Sequence, residues 1–176
     1  MFDWLFGKSK GGAADHVEVG GTAELLVISR KVALARGDAF TAFVDRIGTW
    51  WPKDMTWAGE RLAAVSIEPR LNGRATERDA SGATREWGTV LSFERPSHIV
   101  IAWQKTPAGD AEPSEATASR VDVRFNAVDP QTTEIVVVHR DFPRHGDGWQ
   151  GYRAKMGSKT GWPRLIELYA ASAAKP

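Results

Sequence analysis

Cysteine is absent from all 176 residues. That removes disulfides, thiolate metal sites, thiol nucleophiles and thiol redox switching together, and agrees with a reducing compartment, so the cytoplasm is the expected location. Long apolar runs are also missing. The longest, such as Ile135-Val136-Val137-Val138 and residues 99–103, are strand-sized and fall far short of the about 20 residues a helical membrane span needs. Neither sign of charge dominates: 23 basic residues face 22 acidic ones, dispersed along the chain, for a formal net charge of +1. A phosphate backbone demands a basic footprint that this chain does not carry, so nucleic acid is not expected as a partner. A phosphate-binding glycine loop, an HExxH pair and a nucleophile elbow are lacking as well, and neither a cofactor nor a metal is expected.

What is present begins with length. A chain of this size fits one domain and buries roughly 70% of the surface that its unfolded form exposes, enough for a core that needs no staple. Residues 1–22 read as a flexible arm, Met1-Phe2-Asp3-Trp4-Leu5-Phe6 followed by the glycine-rich Gly7-Lys8-Ser9-Lys10-Gly11-Gly12. The lysines follow the apolar stretch, which is the wrong order for a secretory leader. A single apolar turn buries too little area to hold a protein on a bilayer, so membrane attachment is not expected. Docking of the arm on its own domain or on a second copy is the stronger reading, which gives homodimerisation a route, and plain disorder is the other.

The folded domain is expected over residues 23–174. Leu26, Ile28 and Val32 alternate with Val27, Ser29 and Lys31, the pattern of a strand over residues 24–33. Asp38 can accept from the unpaired amides of a helix's first turn, with Phe40, Phe43, Val44 and Ile47 on one face and an end at Gly48. Thr49-Trp50-Trp51-Pro52 forms a corner where proline stops the helix. Residues 63–68 and 73–78 read as short strands, and 79–82 as a turn. Alternation then places Trp87, Thr89, Leu91 and Phe93 on one face, followed by Ile99, Ile101 and Trp103 across a hairpin at Arg95-Pro96-Ser97. After a long loop over 106–118, Val121, Val123 and Phe125 alternate with Arg120, Asp122 and Arg124, whose charges are expected to face water. Thr133, Ile135, Val137 and His139 share the inner face of the last strand. Trp149, Tyr152 and Met156 recur at helical spacing. Pro163 sits in the first turn of a closing helix that starts at Thr160 or Gly161, with Trp162, Leu165, Ile166, Leu168 and Tyr169 as its apolar stripe.

This order predicts an α+β helix-grip architecture, a curved antiparallel sheet wrapped around a C-terminal helix. Over residues 23–173 the chain resembles the START-like, Bet v 1-like SRPBCC superfamily, and within it the branch like the activator of heat-shock-protein-90 ATPase. The resembling pieces are Ile28-Ser29-Arg30-Lys31-Val32, the Trp50-Trp51-Pro52 corner, Trp87-Gly88-Thr89-Val90 leading to Glu94-Arg95-Pro96, and the strand ending at Trp103. Thr133-Glu134-Ile135-Val136-Val137-Val138-His139 with Phe142, and Gly161-Trp162-Pro163, complete the set. The resemblance implies a hydrophobic cavity between sheet and helix, used across the superfamily for flat apolar molecules. It carries no fixed catalytic set. The branch's name implies a chaperone partner and a link to stress response, yet the co-chaperone behind that name resembles a two-domain protein, and only about 22 residues precede the fold here.

The candidate ligand-binding residues are therefore Trp87, Thr89, Leu91 and Trp103 on the sheet, Trp50, Trp51 and Trp57 at a mouth, Met156 and Trp162 on the helices, and His139. Each has a plainer reading. An apolar stripe on a sheet is more often simply core, and a histidine on an inner face is more often a buried residue satisfied by a neighbour than a polar anchor or proton carrier. Asp141, His145 and Asp147 can bind metal chemically, but their spacing matches no metal motif. Arg85, Glu86 and Glu77 read as ion pairing across a sheet rather than as a paired-carboxylate catalyst. The expected function is binding of a small hydrophobic, aromatic ligand in a cavity between sheet and C-terminal helix. The alternatives are a chaperone-associated interaction module and a cyclase- or aromatase-like enzyme using His139.

Overall fold

The computed structural model describes residues 17–111 and 114–175. Eight strands, β1 (Glu18–Gly21), β2 (Leu26–Val32), β3 (Leu62–Ile67), β4 (Arg74–Asp79), β5 (Thr84–Glu94), β6 (His98–Trp103), β7 (Ser119–Asp129) and β8 (Thr132–Arg140), form one antiparallel sheet. Their order is β1-β2-β8-β7-β6-β5-β4-β3. Helix α1 (Arg36–Phe43) crosses between β2 and β3, while α2 (Trp149–Gly157) and α3 (Trp162–Ala173) follow β8. This is the helix-grip arrangement that the alternation and the resemblance predict.

The grip follows from parity. Leu26 and Ile28 of β2, Val121, Val123 and Phe125 of β7, and Ile135 and Val137 of β8 all turn to one face and join a single core with Leu165, Ile166 and Tyr169 of α3. Polar ties fix the helix along the bend: the Tyr169 hydroxyl donates to the Ala39 carbonyl at 2.9 Å, and Arg30 pairs with Glu167. Pro163 lies in the first turn of α3, where its missing amide costs no helical bond. Gly161 precedes it because a side chain there would sit 2.2 Å from the Met156 carbonyl oxygen.

Several expectations change. The sheet begins inside the stretch assigned to the arm, since β1 pairs with β2 from Glu18↔Ser29 to Gly21↔Leu26; a four-residue strand carries too little alternation to read. The remainder of that arm, and its proposed docking, lies outside the described residues. Helix α1 ends at Phe43, and Ile47–Thr49 is a separate 3-10 turn; Asp38 lies in the first turn of α1 without capping it. Asp122 does not face water: it is 8% exposed on the outer face, held by His98 Nε2 at 2.8 Å and by Arg124. Glu86 pairs with Arg74 at 2.7 Å, whereas Glu77 turns inward and accepts from the Ala58 amide at 2.8 Å.

The larger correction concerns β5. Register breaks between Ala75 and Thr76 on its β4 side and between Val90 and Ser92 on its β6 side. Each bulge inserts one residue and shifts parity. Gly88 and Val90 thus lie opposite Trp103 and Ile101 on the inner face, and Trp87 joins them as the extra residue. Thr89 is opposite Ala102 on the outer face, where its hydroxyl donates to the Gln104 side chain at 2.8 Å. Leu91 is the second extra residue and stays outside the core.

Candidate functional site

The bowl of the sheet is lined by rings. Trp51 stacks on Trp87 at 5.4 Å with planes 16° apart, and Trp103 meets Trp51, Trp87 and Trp162 at 5.6–6.0 Å. Trp50 packs on Phe43 and Tyr169, and its indole N–H reaches the Ala42 carbonyl at 3.2 Å. Trp50, Trp51, Trp87 and Trp162 are therefore interior packing, each at most 8% exposed. The space between sheet and helices is largely occupied by these rings.

Room remains at one end. A cleft of about 350 Å³ opens where β6 stops, within the roughly 300–1,000 Å³ range of small-molecule sites. Its apolar wall is Trp57, Trp103, Tyr152, Met55, Met156 and Pro107. Of the residues predicted from the sequence, the structure brings Trp57, Trp103 and Met156 to this cleft. A strap over residues 52–61 covers one side and is pinned by five contacts. The Lys105 ammonium donates to the Met55 carbonyl at 2.5 Å and lies 4.4 Å over the Trp57 ring. The Trp57 N–H donates to the Gly109 carbonyl at 2.6 Å, Ala58 donates to Glu77, and Arg164 of α3 pairs with Asp54 at 2.8 Å.

Lys105 and Tyr152 are the polar groups that sequence reasoning missed. Lys105 follows Trp103 by two positions, so strand parity carries it to the same side; the signal was there but lay past the last apolar residue. Burial pushes its ammonium below the usual lysine range, partly offset by the attraction of Glu77. The Tyr152 hydroxyl accepts from the Trp103 indole at 2.7 Å, and burial raises its pKa to about 12 against that hydrogen bond. It is a protonated donor at any ordinary pH. Glu77 Oε2 and Trp87 Nε1 are buried with no hydrogen-bond partner among the described residues, the kind of atom that an ordered water satisfies; neither residue lines the cleft.

His139 lies behind Trp103, fully buried, and is not part of the cleft wall. Trp162 donates its indole N–H to His139 Nδ1 at 3.1 Å. An indole only donates, so Nδ1 is bare and the proton is on Nε2, from which it goes to Ser119 Oγ at 2.7 Å. Ser119 Oγ is also hydrogen-bonded to His145 Nε2 at 2.8 Å. Burial, with a smaller repulsion from His145, holds the His139 pKa well below 6.5. This is a neutral imidazole with both nitrogens engaged, the plainer of the two readings of an inner-face histidine.

Sheet, closing helix and aromatic-walled cleft together define a helix-grip protein of the SRPBCC kind. The chain belongs to the family described as activator of Hsp90 ATPase homolog 1-like proteins, whose model matches residues 35–170. Among solved structures it is similar to an anthrahydroquino-γ-pyrone synthase at 25% identity and a TM-score of 0.58, covering 84% of this chain and 99% of that one. It is also similar in fold to the self-sacrificing resistance protein CalC from Micromonospora echinospora, with 21% identity, a TM-score of 0.59 and coverage of 88% and 99%. A third neighbour is an Hsp90 activator from Plasmodium falciparum, with 19% identity, a TM-score of 0.55 and coverage of 84% and 96%. No curated protein matches the chain. Among the described residues no helix is long and apolar enough to cross a membrane.

Proposed function

We propose that this protein binds a small, flat, largely apolar molecule in the cleft between the end of β6, the strap over residues 52–61 and helices α2 and α3. The observation that carries the reading is the cleft itself, about 350 Å³ walled by Trp57, Trp103, Tyr152 and Met156. Flat rings against flat rings give contact area and stacking with little conformational entropy to lose. A drug-sized ligand held this way reaches micromolar affinity, about 8 kcal/mol. The neighbour at 25% identity is named as a synthase of an anthrahydroquino-γ-pyrone, a fused-ring compound by that name, which supports a flat guest. The test is titration with a neutral naphthylamine fluorophore while tryptophan emission is followed. Saturable quenching that Trp57→Ala weakens about ten-fold supports the proposal, and linear, unsaturable quenching ends it.

The family match favours a second reading, a module that contacts a chaperone of the Hsp90 class. Its discriminator is stimulation of a purified Hsp90-class ATPase, measured with and without a ligand filling the cleft. An enzymatic role centred on His139 has less support, because both ring nitrogens are engaged and the ring sits behind Trp103.

A further inference from the structure

The apolar wall of the cleft says flat; its polar atoms say something more. Three basic side chains line it, Lys105, Lys155 and Arg164, against one acidic side chain, Asp54. Asp54 is already matched by Arg164. Lys105 has three N–H donors, and Met55 takes one of them. Tyr152 accepts from Trp103, and its own proton has no acceptor among the described residues. Glu77 attracts Lys105 from behind but is not among the lining residues, and counting it still leaves one positive charge in surplus. The lining is thus rich in donors and poor in free acceptors. A ligand that donates finds little to donate to, while a ligand that accepts, and above all an anion, meets Lys105 and Tyr152 together.

Resting on the ligand-binding reading above, we propose that the cleft selects a flat aromatic acid, its ring system between Trp57 and Trp103 and its anionic oxygens on Lys105 Nζ and Tyr152 Oη. The partly buried ammonium gains from this as well. Desolvation now works against its charge, and an anion brought beside it in a partly dry site restores the favourable field that water gave up.

Two probes with the same body separate the two claims. 8-Anilinonaphthalene-1-sulfonate carries an anionic group on an anilinonaphthalene frame, and N-phenyl-1-naphthylamine carries the frame alone. Both are titrated by fluorescence into the full-length protein, Lys105→Met and Lys155→Gln, with near-ultraviolet circular dichroism to confirm that each variant keeps its tertiary packing. A charge-assisted hydrogen bond of the usual strength predicts that Lys105→Met weakens the sulfonate about ten-fold or more beyond whatever it costs the naphthylamine, which feels the lost contacts to Met55 and Trp57 but not the lost charge. Lys155→Gln, at an exposed edge of the cleft where folding is not at stake, is expected to weaken the sulfonate about two-fold, with the difference shrinking at high salt. Equal losses for both probes, or a sulfonate affinity indifferent to both variants, overturn the acid preference while leaving the apolar cleft intact. Saturable binding of neither probe overturns the cleft reading and this inference with it.

Discussion

At the residue scale the decisive contrast is between His139 and Lys105. The alternation of β8 is regular, so the inward direction of His139 is legible from the chain. What a sequence does not carry is the company a residue keeps: Trp162 and Ser119 arrive from distant elements and take both ring nitrogens. Lys105 shows the opposite failure, a charged residue just beyond a strand end that pattern reading passes over, although its spacing from Trp103 puts it on the same side. The buried imidazole also has a measurable consequence. Its folded pKa lies well below 6.5, so below that pH the unfolded chain takes up a proton that the folded chain refuses. The contribution to stability is complete above 6.5 and is lost as pH falls toward the folded value, at up to about 1.4 kcal/mol per pH unit. Urea unfolding at pH 7.5, 6.0 and 5.0 is expected to show wild type losing up to about 2 kcal/mol across the whole series, more than half of it between pH 6.0 and 5.0, with a visibly shallower slope for His139→Gln. Parallel curves for the two proteins would mean that other groups set the acid sensitivity.

At the element scale, strands with unbroken alternation were legible, and β5 was not. Two bulges in 11 residues shift parity twice, so Trp87 and Phe93 face inward as the simple pattern predicts while Thr89 and Leu91 between them do not. Nothing in the local composition announces a bulge except Gly88. That glycine has a physical reason: a side chain there would lie 2.7 Å from both the Ala102 carbonyl oxygen and Ile101 Cγ2. The β5–β6 backbones approach closely at this point, beside the ring of Trp87. Gly88→Ala must push the strands apart, at a cost of about 1–3 kcal/mol by the usual penalty for overpacking. Gly151 in α2 has open space around it, and Gly151→Ala is expected to gain about 0.5–1 kcal/mol from helix propensity. Denaturant midpoints of the two variants should therefore move in opposite directions. If Gly88→Ala is as well tolerated as Gly151→Ala, the close approach is not what holds the bend.

At the scale of the whole molecule, the sequence conveyed the grip but not how nearly full it is. Apolar parity shows which side chains point into the bowl, and only the packing of Trp51, Trp87, Trp103 and Trp162 on one another shows that they occupy most of it. The cleft survives where β6 ends and the strap, the loop after Lys105, and α2 and α3 meet. Those parts are far apart in the chain, from Asp54 to Arg164, so they come together only in the folded state. A ligand of this cleft binds the native protein and not the unfolded chain, and mass action then fixes what it does to stability: at a free concentration of 100 times Kd the gain is about 2.7 kcal/mol. For a chain of this length that corresponds to a rise in Tm of about 5–10 °C. The rise should grow with the logarithm of ligand concentration beyond saturation, and should shrink in Trp57→Ala with the logarithm of the lost affinity, to about half for a ten-fold weaker Kd at the same ligand concentration. A molecule that quenches tryptophan but leaves Tm unmoved is touching exposed rings on folded and unfolded chains alike, and would be no evidence for a guest in the cleft.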